Sequence, residues 1–289
     1  MSFSFGKVAY KTIKEYAELI EDLYNLHRIT IPQNSELAQY IFSARQLSDS
    51  WYTGDRNTLD DRDVFFKKMG DSLLILRLGY ALKYLKEKPE LEHHLTKLLE
   101  GSIDPTDKKV NQAKDFCFEI LVASKLEAKG LKTNLFEPDI RFEIDGMGLV
   151  IACKHPHPQN LNSLEINLEE KFRKATRQIK KSSKRGFIAI SLDSIVPQRN
   201  LVSVKNTDEL DKQMDSYCTS FVVQYENNFK RWINSEKVLG VIACLSTITI
   251  IDDIKLPGEA QFWTVHFACS ETSPYWKVGQ SLEKLLSQN

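Results

Sequence analysis

The chain has 289 residues, of which 42% are hydrophobic and 27% charged, a balance typical of a globular protein with a substantial core. Thirty-nine basic residues balance 39 acidic ones, which excludes a globally basic nucleic-acid binder but not a local basic patch. The five cysteines are dispersed without a CxxC pair, and neither a secretory signal nor an apolar run of about 18 residues occurs. We therefore expect a cytoplasmic protein with reduced thiols that does not enter membranes.

Residues 1–101 are predicted to form a helical region. A second helix is predicted to begin near Ser35, and a long leucine-rich helix follows a polar loop over residues 53–63. Pro89 suits the first helical position of a further helix that ends near Gly101. The opening helix is indicated by apolar residues that recur at helical spacing, namely Ile13, Tyr16, Ile20 and Leu23.

Residues 102–289 change to an alternation of helices and strands. A helix is predicted to start at Thr106 or Asp107 and to end at Gly130. Two alternating segments joined by Asp145-Gly146 then predict a β-hairpin, because Asp-Gly is a preferred two-residue turn. The hairpin covers 135–144 and 149–154, and it is followed by a helix at 164–183, a strand at 186–192, a helix at 208–234 and strands at 238–250 and 262–269. This order predicts an α/β fold, with a central sheet flanked by helices.

The hairpin brings an acid and an amine to the same end of the predicted sheet. Asp139 opens one strand and Lys154 ends the other, with Ala152 on the face of Lys154 and Cys153 on the opposite face. A carboxylate at such a place can hold Mg²⁺. A lysine beside it can orient or deprotonate an attacking water, or steady a phosphoryl oxygen. Glu119 lies on an apolar stripe of the preceding helix, where an acid needs a partner such as a metal site.

Over residues 106–193 the chain resembles the PD-(D/E)XK nuclease superfamily. The resemblance rests on Glu119 in a helix, then Pro138-Asp139, then a hydrophobic strand that ends in Ala152-Cys153-Lys154, with a helix and a strand following in the expected order. It implies a restriction-endonuclease-like fold over residues 102–289, with a central mixed sheet, and Mg²⁺- or Mn²⁺-dependent hydrolysis of phosphodiester bonds. It also implies that Asp139 and Glu119 bind the metal and that Lys154 is the catalytic lysine.

Ala152 departs from the pattern of this superfamily, which has Asp or Glu two residues before the lysine. Without that carboxylate the metal loses one oxygen ligand, so the resemblance implies a catalytically impaired chain. Two explanations compete, a naturally non-cleaving relative and an acid-to-alanine change that disarmed a toxic nuclease. We favour the second, because drift would erode several site residues, whereas Asp139, Lys154 and Glu119 all remain.

A purely structural interpretation of the same residues is also open. Asp139 could be an ordinary turn residue, Lys154 a solvated end of a strand, and Glu119 an acid that extends its carboxylate to solvent.

Two pairs of histidines raise the question of a metal site. His93 and His94 are adjacent, so their side chains point about 100° apart on a helix, and we interpret them as a solvated pair. Cys153, His155 and His157 do not form a four-ligand zinc set, because Cys153 points into the core and two prolines end the strand. His155 and His157 are instead expected to contact phosphate or the rim of the hairpin.

The helix after the hairpin carries eight basic residues and no acid between positions 171 and 185. Such a stripe suits a phosphate backbone, although charge runs are also common on solvated helix faces. Gln178 lies within the stripe and is expected to contact the backbone or the site. The other predicted nucleic-acid contacts are Arg173, Arg177, Lys180, Lys181 and Lys184.

Together these features predict a metal-dependent nuclease that acts on DNA, an effector of bacterial antiviral defence or repair. An ATPase or helicase partner is expected only by analogy with the superfamily. The alternative is a naturally inactive nuclease-fold protein that binds nucleic acid or a partner protein. No phosphate-binding P-loop, dinucleotide-binding glycine motif or Ser-His-Asp arrangement is found.

Overall fold

A computed structural model describes residues 4–5, 10–54, 61–105, 107, 109, 111–157, 161–196, 203–251 and 256–287. The described chain is α/β, with one mixed sheet flanked by helices on both faces. Six longer strands form the body of the sheet. Two short strands of two residues each, β1 (Ser4–Phe5) and β6 (Ser203–Val204), pair with two of these longer strands.

The N-terminal region is helical, as predicted. Its helices are α1 (Tyr10–Leu26), α2 (Glu36–Thr53), α3 (Arg62–Leu85) and α4 (Leu91–Leu98). The Ser35 side chain accepts a hydrogen bond from the Ala38 N–H at the start of α2, which confirms that start. Pro89 is not the first residue of α4, because the helix begins two residues later, after Glu90.

Helix α5 (Gln112–Ala128) begins later than predicted. Its cap is Asn111, whose side chain accepts from the Lys114 N–H at 3.3 Å. Asp107 caps no helix because its carboxylate accepts instead from the Lys109 N–H, in a local turn; Thr106 lies outside the described residues. The end at Gly130 is as predicted, with the glycine at a φ of 80°.

The predicted hairpin forms, but its first half is divided. Two strands, β2 (Thr133–Phe136) and β3 (Asp139–Ile144), form in place of the single predicted strand at 135–144. The break falls at Pro138, which has no N–H to continue the ladder of hydrogen bonds. Strand β4 (Met147–Lys154) pairs with β3 in antiparallel register. The turn between them has positive φ at both Asp145 and Gly146, 52° and 73°, the geometry for which Asp-Gly is preferred.

The remaining elements follow the predicted order, with one addition. They are α6 (Leu161–Lys181), β5 (Arg185–Ser191), α7 (Thr207–Trp232), β7 (Val238–Ile251), β8 (Leu256–Phe267) and α8 (Pro274–Ser287). Helix α8 was missed, although Ser273 followed by Pro274 is a recognisable helix start. The predicted loop around Pro197 lies outside the described residues.

The order of strands in the sheet is β1-β8-β7-β5-β4-β3-β2, with β6 beside β7. Strands β4, β5 and β7 are parallel neighbours, and the flanking pairs are antiparallel. Helices α6 and α7 cover one face, and α5 and α8 cover the other. Along β4, Ile151 and Cys153 pack on the α5 side while Val150 and Ala152 pack on the α6 side, which confirms the predicted alternation.

The N-terminal helices share a core with the rest of the chain. The apolar layer on the α5 side contains residues of α1 to α4 together with α5, α8 and the sheet, so it crosses the expected boundary near residue 101. A buried ion pair adds a polar link, because Arg77 of α3 donates to Asp193, just after β5, at 3.3 Å. Asp193 also accepts from the N–H and the hydroxyl of Ser246 in β7, at 2.6 and 3.1 Å.

The change Arg77→Met should lower the free energy of unfolding by about 3 kcal/mol or more, because it removes the cation that is paired with the buried Asp193 carboxylate. Urea unfolding followed by circular dichroism measures this. The matched control is Lys67→Met on the same helix, which breaks the exposed pair with Asp71 and should cost less than about 1 kcal/mol. Equal losses in the two variants would contradict the importance of the buried pair.

Candidate active site

Asp139 is held at the start of β3 by bonds from the neighbouring strand. Its Oδ2 atom accepts from the backbone N–H of Cys153 at 2.7 Å and from the Lys154 ammonium at 3.0 Å. Its φ is 112°, a left-handed conformation that costs free energy in a residue with a Cβ and persists where surrounding bonds fix it. These bonds therefore hold the Asp139 side chain in one position. An ordinary turn residue would not need such contacts with the neighbouring strand.

Lys154 turns its ammonium inward. Its side chain is only 8% exposed and that of Asp139 only 10%, and the ammonium also donates to the Cys153 carbonyl. The interpretation of Lys154 as a solvated strand end is therefore wrong. The structure places the two residues in direct contact, as the hairpin predicted.

Gln178 of α6 completes the contacts of Asp139. Its side-chain Nε2 donates to Asp139 Oδ1 at 3.3 Å. Its other polar atom, Oε1, is buried and has no hydrogen-bond partner among the described residues. A buried amide oxygen without a donor is costly, so a donor or a cation at this point would stabilise the site.

Glu119 lies on α5, on the other side of the sheet, close enough for its charge to act on Asp139. Its side chain is 13% exposed, and its carboxylate lies 3.0 Å from the Nε2 atom of His94. Glu119 therefore does not extend to solvent. The interpretation of His94 as solvated is also wrong, because this side chain is buried and paired with Glu119, whereas His93 is exposed.

Burial decides the electrostatics of Asp139. Loss of hydration raises the pKa of its carboxyl to about 7, with a further upward contribution from the negative charge of Glu119, although Lys154 and the Cys153 N–H act in the opposite direction. Asp139 is thus an acid whose surroundings do not fully stabilise its charged form. A cation or a proton is the remaining way to stabilise it.

Ala152 lies next to these groups but contributes no polar atom. It is fully buried in the apolar layer beneath α6, with Leu168 and Phe172. Ile140 of β3 pairs with Ile151 of β4, so continuing this register by one position sets Asp139 opposite Ala152. A carboxylate at position 152 would therefore face the Asp139 end of the sheet.

A second polar cluster, which the sequence did not indicate, borders the site. Asp115, one turn before Glu119 on α5, lies 3.4 Å from the Nε2 atom of His157. Burial would raise the pKa of Asp115, but His157 and the positive charge of Lys171 outweigh it and lower that pKa. Burial lowers the pKa of Lys171, and the charge of Lys154 lowers it further while Asp115 raises it. An i, i+4 pair of acids on a helix was the available signal.

His155 is buried rather than placed at the surface of the hairpin. Its ring lies 4.7 Å from that of His157, centroid to centroid. Burial, aided by His157, holds the pKa of His155 well below its usual value. No group of three or more His, Cys, Asp or Glu residues within the described ranges is arranged to hold a metal ion.

The predicted basic residues do not form a single line beside the site. On a helix with 100° per residue, Lys171, Lys174 and Lys181 lie within about 60° of Gln178, whereas Arg177, Arg173 and Lys180 lie about 100° to 160° from it. Arg173 is also paired with Glu169 at 2.7 Å. The basic side chains therefore spread from the site, across the exposed side of α6, to the border with α7.

Lys184 falls outside the helix and away from the site. Helix α6 ends at Lys181, and the Lys184 ammonium lies over Gly148, where it fills the space that a Cβ on this glycine would occupy. Gly148 is at the start of β4, whereas Lys154 is at its end. The structure therefore does not bring Lys184 together with Asp139.

The polar atoms present fit a hard divalent cation only in part. Two carboxylates, Asp139 and Glu119, and the unpartnered Oε1 of Gln178 are oxygen donors of the kind that Mg²⁺ prefers. Ala152 supplies no third carboxylate. A cation would thus have fewer protein ligands than a complete site provides.

Comparisons of the chain with protein-family models, with curated proteins and with solved structures gave no match. Among the helices of the described residues, none has the length and apolar character needed to cross a lipid bilayer.

The change Asp139→Asn should alter how stability depends on pH. The folded chain holds the Asp139 proton up to about pH 7, whereas the unfolded chain releases it near about pH 4. In that window the folded state binds more protons, so the contribution of Asp139 to stability falls as pH rises, by up to about 1.4 kcal/mol per pH unit. In urea unfolding from pH 4.5 to pH 8, the free energy of unfolding of the variant should therefore rise relative to that of the unchanged protein as the pH increases. Parallel pH profiles for the two proteins would contradict the raised pKa.

Proposed function

We propose that this chain has a restriction-endonuclease-like fold whose site is built for Mg²⁺-dependent hydrolysis of DNA phosphodiesters, and that Ala152 impairs cleavage. The order α5, β2, β3, β4, α6, β5 matches the order that the family resemblance implies. The single observation that carries the proposal is the buried contact between Asp139 and Lys154 at 3.0 Å. Two motif residues 15 positions apart meet there.

Each residue of the site has a role in this proposal. Asp139, Glu119 and the Oε1 atom of Gln178 would hold the cation, which when bound supplies charge to stabilise the phosphorane-like transition state. Lys154 holds its ammonium beside Asp139, where it can orient a water or donate to a phosphoryl oxygen. His94 positions the Glu119 carboxylate, because its ring nitrogen lies 3.0 Å from it.

The alternative, a naturally inactive nuclease-fold protein that binds nucleic acid or a partner protein, is favoured by the surroundings of Ala152. This residue is fully buried in an otherwise apolar layer. A methyl group at this position packs without strain in that layer, so the chain tolerates the missing acid. The two proposals differ in activity, since the first expects cleavage once position 152 carries a carboxylate and the second expects binding alone.

DNA is the substrate that we propose, with its backbone on the side of α6 that carries Gln178. Lys171 is half-buried at the border of the site, and Lys174 and Lys181 are exposed next to it. The role in defence or repair and the ATPase or helicase partner remain proposals by analogy.

Ala152→Glu should create metal-dependent nuclease activity, because the new carboxylate faces Asp139 and supplies the missing ligand. Without metal the variant should be less stable by about 1 to 3 kcal/mol, since it buries a third acid beside Asp139 and Glu119. Mg²⁺ or Mn²⁺ should restore that stability. Plasmid cleavage and thermal unfolding, each with metal and with EDTA, measure the two effects.

The matched control is Ala152→Gln, which has nearly the same size and no charge. It should show neither cleavage nor stabilisation by Mg²⁺. In the Ala152→Glu protein, the further change Lys154→Ala should abolish cleavage. A folded Ala152→Glu protein that binds Mg²⁺ and DNA but never cuts would favour the naturally inactive alternative.

The basic side of α6 gives a separate prediction about binding. Lys174→Ala with Lys181→Ala should weaken DNA binding and reduce the slope of log K against log salt by up to about 0.9 for each phosphate that the protein no longer neutralises. The control is Lys129→Ala with Lys132→Ala, which removes the same charge beside the Asp145-Gly146 turn, at the opposite end of β4 from Lys154, and should change the slope less. Fluorescence anisotropy over a salt series measures both. Equal slopes for the unchanged protein and the first variant would contradict this surface.

A further inference from the structure

A cleft opens between α6 and the end of α7, on the side of α6 turned away from Asp139. Its volume is about 320 Å³, enough for a phosphate group with part of what it is attached to. Three cationic side chains of α6 line it, together with Thr176 and, from the end of α7 and the residues after it, Trp232 and Asn234. The cationic residues are Arg173, Arg177 and Lys180, and Glu170 is the one acid in the lining.

Two buried polar atoms of the lining residues have no hydrogen-bond partner among the described residues. They are the indole Nε1 of Trp232 and the hydroxyl of Thr176. Their residues are only 2% and 5% exposed. An indole N–H can only donate and a hydroxyl can donate, so both could be satisfied by an acceptor oxygen. Both atoms have almost no accessible surface, so an oxyanion in the cleft reaches them only when the surrounding side chains move aside. Leaving such groups unpaired costs free energy that this contact would recover.

The charges around the cleft also favour an anion. Arg173 is tied to Glu169, so Arg177 and Lys180 supply most of the available positive charge. Lys237 donates to the carbonyls of Lys180 and Ser182 at 3.1 and 2.8 Å. These bonds satisfy one carbonyl of the last turn of α6 and one just after it, and the ammonium offsets the partial negative charge of that helix end.

The geometry points to an oxyanion site in this cleft that binds a phosphate group, separate from the site at Asp139. Arg177 and Lys180 supply the charge, and Thr176 and Trp232 supply buried donors. The phosphate is that of a free nucleotide or that of a nucleic acid, since both present the same oxygens. The inference does not depend on the proposed nuclease function, because the cleft shares no residue with the Asp139 site.

The experiment uses NMR spectroscopy to follow the indole N–H signals of the ¹⁵N-labelled protein. The variant Trp232→Phe assigns the signal of Trp232. Inorganic phosphate is titrated against chloride at matched ionic strength, so that screening is constant. Binding should shift the Trp232 signal saturably, while the signals of Trp51, Trp263 and Trp276 stay in place. No saturable shift with phosphate at millimolar concentration would overturn the inference.

Variants test which residues form the site. Arg177→Glu with Lys180→Glu should weaken phosphate binding at least tenfold, and Thr176→Val, which keeps the side-chain shape, should weaken it several-fold. Lys230→Glu reverses an exposed charge near the end of α7, outside the lining of the cleft, and should leave phosphate binding within twofold. A loss as large in Lys230→Glu as in the cleft variants would mean general electrostatics, and would overturn the site.

The source of the phosphate is decided by further titrations with the same signal. Adenosine monophosphate tests a free nucleotide, and a short duplex with or without a 5′-phosphate tests a nucleic-acid end. A shift with the nucleotide alone assigns the site to a small ligand, and a shift with the phosphorylated duplex alone assigns it to a DNA end. Failure of Ala152→Glu to cut DNA would leave all of these shifts unchanged, so the two proposals are tested independently.

Discussion

The candidate site depends on the desolvation of one carboxylate. Asp139 sits at the end of the sheet with a side chain only 10% exposed, where a charge must be compensated by bonds and neighbouring cations. The Cys153 N–H, the Lys154 ammonium and the Gln178 amide come from β4 and α6 to meet it. Their convergence fixes the relative positions of β3, β4 and α6, because each must present its donor to the same two oxygens.

The N-terminal helices complete this arrangement. His94 of α4 pairs with Glu119, and Arg77 of α3 pairs with Asp193 after β5. Both bonds join a helix before residue 101 to a buried acid of the α/β part. The helical region is therefore part of the same packed unit, and it controls the orientation of Glu119.

Helix α6 has a different neighbour at each border of its exposed side. At one border Gln178 reaches Asp139, and at the other Thr176 and Arg177 line the cleft against α7. A run of eight basic residues without an acid looks uniform in sequence, but only six of them lie on α6, where helical rotation distributes them over about half the circumference. The basic residues consequently lie in different surroundings, and they do not form one stripe of positive charge.

The sequence by itself determined the local features. Asp145-Gly146 specified the hairpin turn, alternation in β4 assigned Ala152 and Cys153 to opposite faces, and the order of elements followed from hydrophobic period, because each of these depends on neighbours a few residues away. Only the tertiary structure decided which distant groups meet. Nothing near His94 in sequence indicates that it faces Glu119, since that contact depends on how two helices pack. The depth of burial was likewise a property of the fold, and it is burial that raises the pKa of Asp139 and leaves donors such as the Trp232 N–H without a partner among the described residues.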